Sequence, residues 1–209
     1  QPDRLEDSVY TFLSWNIGYA GLGAEMDFFY DGGEQVRPGN ENIKKYTAGI
    51  LEFLGSADSL NFMLLQEVDK NSDRTNYTDQ TLLIRERLPQ FFSVFGYNYK
   101  TSFVPLPFLN PLGRIEMGQM TLSEYSPAIS RRHSYASEYS WPKRLFMLDR
   151  CFIYSRFKLN GGKNQLIIFN THNSAYDAGG KLREKEMPII RDLMLEEYKK
   201  GNFVVAGGD

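Results

Sequence analysis

Asn16, Glu67, His172 and Asp209 are the residues of this chain whose types and positions suit work on a phosphate ester. Each stands at or near the end of an apolar run: Phe12-Leu13-Ser14-Trp15-Asn16, Phe62-Met63-Leu64-Leu65-Gln66-Glu67, Leu166-Ile167-Ile168-Phe169-Asn170-Thr171-His172 and Phe203-Val204-Val205-Ala206-Gly207-Gly208-Asp209. Strand ends are where α/β folds assemble their sites. An amide, two carboxylates and an imidazole form a set suited to phosphoryl chemistry around a metal. Asp209 is also the last residue, so the chain is expected to stop in mid-site.

A carboxylate that follows five apolar residues, as Glu67 does, is costly unless it pairs or binds a cation. Oxygen ligands of this kind suit Mg²⁺, which keeps several waters and takes one or two carboxylates. Asn16 could hydrogen-bond Glu67 or orient a water. His172, one of two histidines, could donate to a phosphoryl oxygen or act as a general acid. Asp209 could position a water, and the paired donors of Arg150 could clamp phosphate. Taken singly, each also has an ordinary role: a junction Glu paired with a cation, a turn Asn before Gly18, a satisfied buried His, a terminal Asp and an ion-paired Arg. Arg131-Arg132-His133 with Lys143-Arg144 reads as a phosphate rim or, more simply, as a solvated loop. The chain has no P-loop, zinc-spaced His/Cys set, Gly-x-Ser-x-Gly elbow or Cys–His nucleophile signature.

These groups need a scaffold, and 209 residues suffice for one large domain, residues 1–209. Apolar residues at 42 % and charged residues at 24 % are ordinary for a globular protein, while 14 % aromatics favour strands. A net charge of −2 lacks the basic footprint of a dedicated nucleic-acid binder. The single cysteine, Cys151, excludes an intramolecular disulfide and is expected to be a buried, inert thiol. No run approaches the ~20 apolar residues of a membrane span. A start at Gln1 rather than Met implies that a leader or other segment was removed, so secreted, periplasmic and cytoplasmic locations all stay open.

The patterning predicts strands over residues 8–17, 60–68, 91–103, 115–125, 145–157, 165–171 and 202–207. Helices are predicted over 40–54, stopped by Gly55, over 79–88, ended by Pro89, and over 181–199, kinked at Pro188. Residues 18–39 form a long Gly-, Asp- and aromatic-rich loop, of a length that invites function. Hairpins alternate with strand–helix–strand units, so the sheets should be mixed.

Ser14-Trp15-Asn16-Ile17, Leu65-Gln66-Glu67-Val68, Asn170-Thr171-His172 and Gly207-Gly208-Asp209, in this order, resemble the motifs of the endonuclease/exonuclease/phosphatase superfamily. That group includes pancreatic-type deoxyribonucleases, AP endonucleases, neutral sphingomyelinases and inositol-polyphosphate 5-phosphatases. Met120-Thr121-Leu122-Ser123-Glu124-Tyr125 is a weaker match to the family's Leu-Ser-x-Tyr strand. The resemblance spans nearly the whole chain. It implies an α/β (α+β) four-layer sandwich of two mixed β-sheets with outer helices.

It further implies that Glu67 is the principal ligand of Mg²⁺, or of Mn²⁺ in its place, with Asn16 beside it ordering the metal–water network. His172 would contact the scissile phosphate, and Asp209 would help align the attacking water. Arg150, Asn173 and Tyr99 are the substrate-binding candidates. Arg144 competes with Arg150 for its role, and Tyr97 with Tyr99. The family's Asn two positions after the Gly-Asp aspartate and its later Ser-Asp-His segment are not in this chain. The chain therefore reads as the N-terminal two-thirds of a hydrolase, inactive or nearly so by itself. A second sheet short of strands would leave an apolar edge, favouring poor solubility, an oligomer or a partner segment.

The implied activity is metal-dependent phosphodiesterase, phosphatase or nuclease chemistry on a phosphorylated substrate: nucleic acid, phospholipid or sugar phosphate. A non-catalytic binding module on the same scaffold is the alternative. The Pro-broken apolar segment Phe103–Leu112 could touch a membrane surface if exposed, or cover the core if buried.

Overall fold

The computed structural model describes residues 4–5, 9–57, 59–135, 149–173 and 181–209. Among these, the strands are β1 (Arg4–Leu5), β2 (Phe12–Asn16), β3 (Phe62–Asp69), β4 (Phe92–Val104), β5 (Gly113–Ser123), β6 (Ile129–Ser134), β7 (Cys151–Leu159), β8 (Gln165–Thr171) and β9 (Phe203–Gly208). The α-helices are α1 (Asn40–Ser56), α2 (Gln80–Arg87) and α3 (Lys181–Lys199).

One sheet has the order β2-β3-β5-β4, with β2 and β3 parallel and the other pairs antiparallel. The other has the order β1-β7-β8-β9, with β6 also paired to β7. Here β1–β7 and β8–β9 are parallel, while β7–β8 is antiparallel. Both sheets are mixed, as the alternation of hairpins and crossovers predicts.

The pleat sorts each central strand into two faces. On β3, Met63 and Leu65 point outward and pack with Ile50 and Leu54 of α1 and with Ile84 and Leu88 at α2. Phe62 and Leu64 point inward, against Leu166, Ile168 and Phe157 of the opposite sheet. On β8, Ile167 and Phe169 face Ile190 of α3. The layers are thus α1 and α2, sheet, sheet, α3, which is the expected four-layer sandwich. Strands buried on both faces read as continuous apolar runs, which is why β3 and β8 were legible.

The inward series of both strands ends in amides. Gln66 follows Phe62 and Leu64, and Asn170 follows Leu166 and Ile168; both are fully buried. Gln66 Nε2 donates to Asn170 Oδ1 at 2.8 Å and to Leu64 O at 2.9 Å. Asn170 Nδ2 lies within reach of Leu65 O at 3.3 Å, Met120 O at 3.1 Å and Thr121 Oγ1 at 3.2 Å. This polar lock joins the sheets one residue before Glu67 and two before His172.

Several sequence expectations are corrected. Gly55 does not stop α1, which runs to Ser56. A Cβ there would sit 2.0 Å from Arg87 Cζ, so this glycine leaves room for the Arg87 guanidinium. Of the strand predicted over 8–17, β2 occupies Phe12–Asn16. Arg131-Arg132-His133 are not a loop but lie in β6, an edge strand. Arg132 is committed there, to Tyr97 O at 2.6 Å and Asp149 Oδ2 at 2.7 Å. Lys143 and Arg144 lie outside the described residues. α3 continues through Pro188. The Phe103–Leu112 segment does not cover the core: Val104 and Leu112 are buried, but Phe108 and Leu109 are 87 % and 94 % exposed. Arg37 holds this turn, its Nη1 donating to Asn110 Oδ1 at 3.1 Å and its Nη2 to Pro111 O. At the edge of the second sheet, β9 exposes Phe203.

Asn170→Leu keeps the branched shape of the side chain but leaves Gln66 Nε2, Leu65 O and Met120 O with fewer partners in a dry interface. Each buried polar group left unpaired costs about 1–3 kcal/mol. The variant is expected to lose at least about 2 kcal/mol of unfolding free energy in a urea titration, whereas a loss near zero would mean that the amides do not hold the sheets.

Candidate active site

Four strand ends meet beside the amide lock. β3 carries a bulge between Leu65 and Val68 against β5, and within it Glu67 has φ +54°. A bulge re-aims a side chain out of the pleat. Its neighbours on β3 are buried, whereas Glu67 keeps 17 % of its side chain exposed. A non-glycine residue held at positive φ costs on the order of 1–3 kcal/mol and persists where the surroundings enforce it.

Asn16, at the end of β2, joins the two carboxylates. Its Nδ2 donates to Glu67 Oε1 at 3.0 Å and to Asp209 Oδ2 at 2.6 Å. Its Oδ1 accepts from the backbone N–H of Gly18 at 2.9 Å. A backbone N–H can only donate, so the amide orientation is fixed. Asn16 therefore turns its amide hydrogens to the two carboxylates and holds them together, while its Oδ1 keeps one lone pair beyond the Gly18 bond.

Asp209 follows two glycines for a steric reason. A Cβ on Gly207 would lie 2.7 Å from Leu64 Cδ1, and one on Gly208 would lie 2.0 Å from Thr171 O. At Gly208 the Thr171 backbone leaves no room for a side chain, whereas at Gly207 the tip of Leu64 would have to shift. The Asp209 N–H donates to Thr171 O at 3.1 Å, and Asp209 O accepts from Asn173 N at 2.8 Å.

His172, just past β8, is 4 % exposed and sets its Nε2 3.7 Å from Glu67 Oε1. Glu67, His172 and Asp209 each offer a ligand atom, all within 4.8 Å of one another, an arrangement able to hold a metal ion. Burial, followed by the positive charge of Arg150, pushes the His172 imidazole down to about 3, against a smaller opposing pull from Asp209. The ring is neutral near pH 7.

Arg150 is buried, and its Nε and Nη1 make no hydrogen bond among the described residues. Desolvation lowers its pKa, and the charge of Glu67 is the largest opposing influence. A dry guanidinium with free donors beside carboxylates is a seat for an oxyanion. Asn173 is held by Thr171 Oγ1, which donates to its Oδ1 at 2.8 Å, and it donates to Glu186 Oε2 at 3.1 Å.

Tyr99, expected at the substrate, packs with Val36, Val104, Leu112, Ile115 and Met117 in a separate apolar cluster. Burial pushes its phenol up to about 12. The residue of β4 that reaches the site is Asn98, fully buried, with its Nδ2 3.4 Å from His172 Nδ1. Sequence reasoning passed over it. A lone amide in the aromatic run Phe95-Gly96-Tyr97-Asn98-Tyr99 was the available signal. Nearby, Asp69 and Arg74 form a buried pair, with Nη2 to Oδ1 at 2.8 Å and Nε to Oδ2 at 3.0 Å. This pair anchors the turn after β3.

The chain has the fold of the endonuclease/exonuclease/phosphatase superfamily, shared with solved structures of that name. Among the similar structures is the human Nocturnin catalytic domain with bound sulfate, at TM-score 0.60 and 17 % identity, covering 96 % of this chain and 64 % of that one. Another is D. rerio TDP2 complexed with a single-strand DNA product, at TM-score 0.59 and 13 % identity, covering 97 % and 61 %. A third is ANGEL2, a 2′,3′-cyclic phosphatase bound to adenosine-2′,3′-vanadate, at TM-score 0.63 and 15 % identity, covering 96 % and 53 %. The chain thus spans between about half and two-thirds of the length of these three structures. No protein-family model matches the chain, and no curated protein matches it.

Two outcomes follow from the site geometry. Glu67→Gly removes both the strained φ and one of two adjacent carboxylates. It is expected to be as stable as the parent or more stable, by up to about 1 kcal/mol in urea unfolding; a loss above that size would refute the strain. The His172 pKa is about 3 when folded and near 6.5 when unfolded, so between these values the unfolded chain binds more protons. Stability should therefore fall as pH drops from 6.5 towards 3, and His172→Gln should flatten that slope in paired pH-dependent unfolding curves.

Proposed function

We propose that this domain hydrolyses phosphate esters with a divalent metal, Mg²⁺ or Mn²⁺ in its place. The observation that carries the reading is the convergence of Glu67, His172 and Asp209 within 4.8 Å beside the open donors of Arg150. The donor set fits a hard cation, because both carboxylates offer oxygen and Asn16 holds them together. Glu67 would be the principal holder of the ion, with Asp209 beside it. When bound, the metal supplies polarisation of the phosphoryl oxygen and charge neutralisation at the leaving oxygen.

The remaining roles belong to the side chains. Arg150 binds equatorial phosphate oxygens, since its donors are already desolvated and lose little on meeting an anion. His172, neutral and buried, donates a hydrogen bond to the phosphate as charge develops, rather than giving up a proton from an imidazolium. Asp209 aligns the attacking water, and Asn173 lines the substrate side, held by Thr171 and Glu186. The substrate is a nucleic acid, a phospholipid or a sugar phosphate. The exposed pair Phe108 and Leu109 supports contact with a lipid surface. Among the described residues, no helix is long and apolar enough to cross a membrane.

The test offers the protein that carries this chain an oligonucleotide, a phosphomonoester and phospholipid vesicles, with Mg²⁺ or with chelator. Metal-dependent release of product from one of these is expected. Glu67→Ala should lower the rate by at least about 100-fold, since even supporting residues of metal sites cost 10–100-fold. Binding without turnover of any of the three would favour a non-catalytic module, and full activity in Glu67→Ala would overturn the site.

A further inference from the structure

We propose that Asn98 is a positioning residue that fixes His172 as the tautomer carrying its hydrogen on Nε2, and so makes it a hydrogen-bond donor and not a metal ligand. The argument starts from a group with no choice. The backbone N–H of Cys151 can only donate, and it donates to Asn98 Oδ1 at 3.2 Å. The other end of that amide, Nδ2, can then only donate as well, and it lies 3.4 Å from His172 Nδ1. A ring nitrogen facing a donor must present its lone pair, so the hydrogen of the neutral ring sits on Nε2. That nitrogen is the one turned to the carboxylate of Glu67, at 3.7 Å.

The relay is held on every side. Asn98 is fully buried and sits at the register shift of β4 against β5, between Tyr97 and Tyr99. Gln119 Nε2 donates to Cys151 O at 2.7 Å, which holds the same residue from β5, the strand next to β4. Cys151 begins β7, one residue after Arg150, so the relay also ties the oxyanion seat to the imidazole. Outer partners that fix a histidine's tautomer are a general feature of polar sites.

The chemical consequence is selective. A nitrogen that bears hydrogen has no lone pair for a cation, and Nδ1 is turned away towards Asn98. His172 then drops out of the cluster of three groups that could hold a metal, leaving the carboxylates of Glu67 and Asp209. Oxygen-only donors favour Mg²⁺ or Mn²⁺ over Zn²⁺, which prefers imidazole and thiolate. The catalytic meaning of this inference rests on the proposed hydrolase reading, but its test does not.

The measurement is a long-range ¹H–¹⁵N correlation of the imidazole rings in the ¹⁵N-labelled 209-residue chain at pH 7. The chain has two histidines, so His133→Gln assigns the signals. His172 is expected to show an unprotonated Nδ1 far downfield of a protonated Nε2, unchanged when Mg²⁺ is added. The reverse tautomer, a doubly protonated ring, or loss of the Nε2 hydrogen on adding Mg²⁺ would each overturn the proposal. Asn98→Asp supplies the causal arm, because a carboxylate offers lone pairs alone and must draw a proton onto Nδ1. If Nδ1 stays bare in a folded Asn98→Asp, Asn98 does not set the tautomer. If that variant does not fold, the parent spectrum still decides. The expected tautomer in a protein that hydrolyses no phosphate ester would refute the proposed function and leave this inference standing.

Discussion

The hydrogen bond between Gln66 and Asn170 sets the distance and register between two sheets that otherwise meet largely through apolar side chains. Apolar packing is strong, roughly 1.5–3 kcal/mol for each fully buried Leu, Ile or Phe, but it tolerates sliding. An amide pair in a dry interface does not, because any slip leaves donors and acceptors unpaired. The lock lies one residue before Glu67 and two before His172. The same contact that orders the core therefore fixes the separation of groups that come from different sheets.

Around the lock the site gathers several local costs. Glu67 sits at positive φ, two carboxylates share one amide, and Arg150 is buried with free donors. Each departs from the local consistency of an ordinary core. Elsewhere the chain satisfies its buried charges: Asp69 pairs with Arg74, and Glu197 accepts from Lys200 and Asn202. The open donors of Arg150, set against the paired Asp69 and Arg74, are what single out this edge for the proposed function.

The likeness to solved structures is one of fold, at 11–19 % identity, and shape survives such divergence because it depends on pattern. Inward and outward alternation on β3 and β8, glycines where strands cross closely and a cap such as Asp79 on α2 are enough to specify it. Chemistry needs more than pattern. The geometry about Glu67 depends on one bulge, and the orientation of His172 on one amide carried by the opposite sheet.

The sequence by itself determined the layers and the strand ends. Continuous apolar runs could only be strands covered on both faces, and polar residues at their ends could only converge at one edge. Asn16, Glu67, His172 and Asp209 were legible for that reason. Tertiary structure alone decided what depends on atoms from distant segments. Gly55 reads as a helix stop until Arg87 is seen packed on it. Arg131–His133 read as a loop because their pairing partner, β7, lies beyond a long intervening segment. Tyr99 and Asn98 differ by one position, and the bulge in β4, invisible to periodicity, sets the amide against His172 while the tyrosine joins an apolar cluster. Which end of an amide faces a site is likewise fixed by a backbone N–H elsewhere in the chain, Gly18 for Asn16 and Cys151 for Asn98.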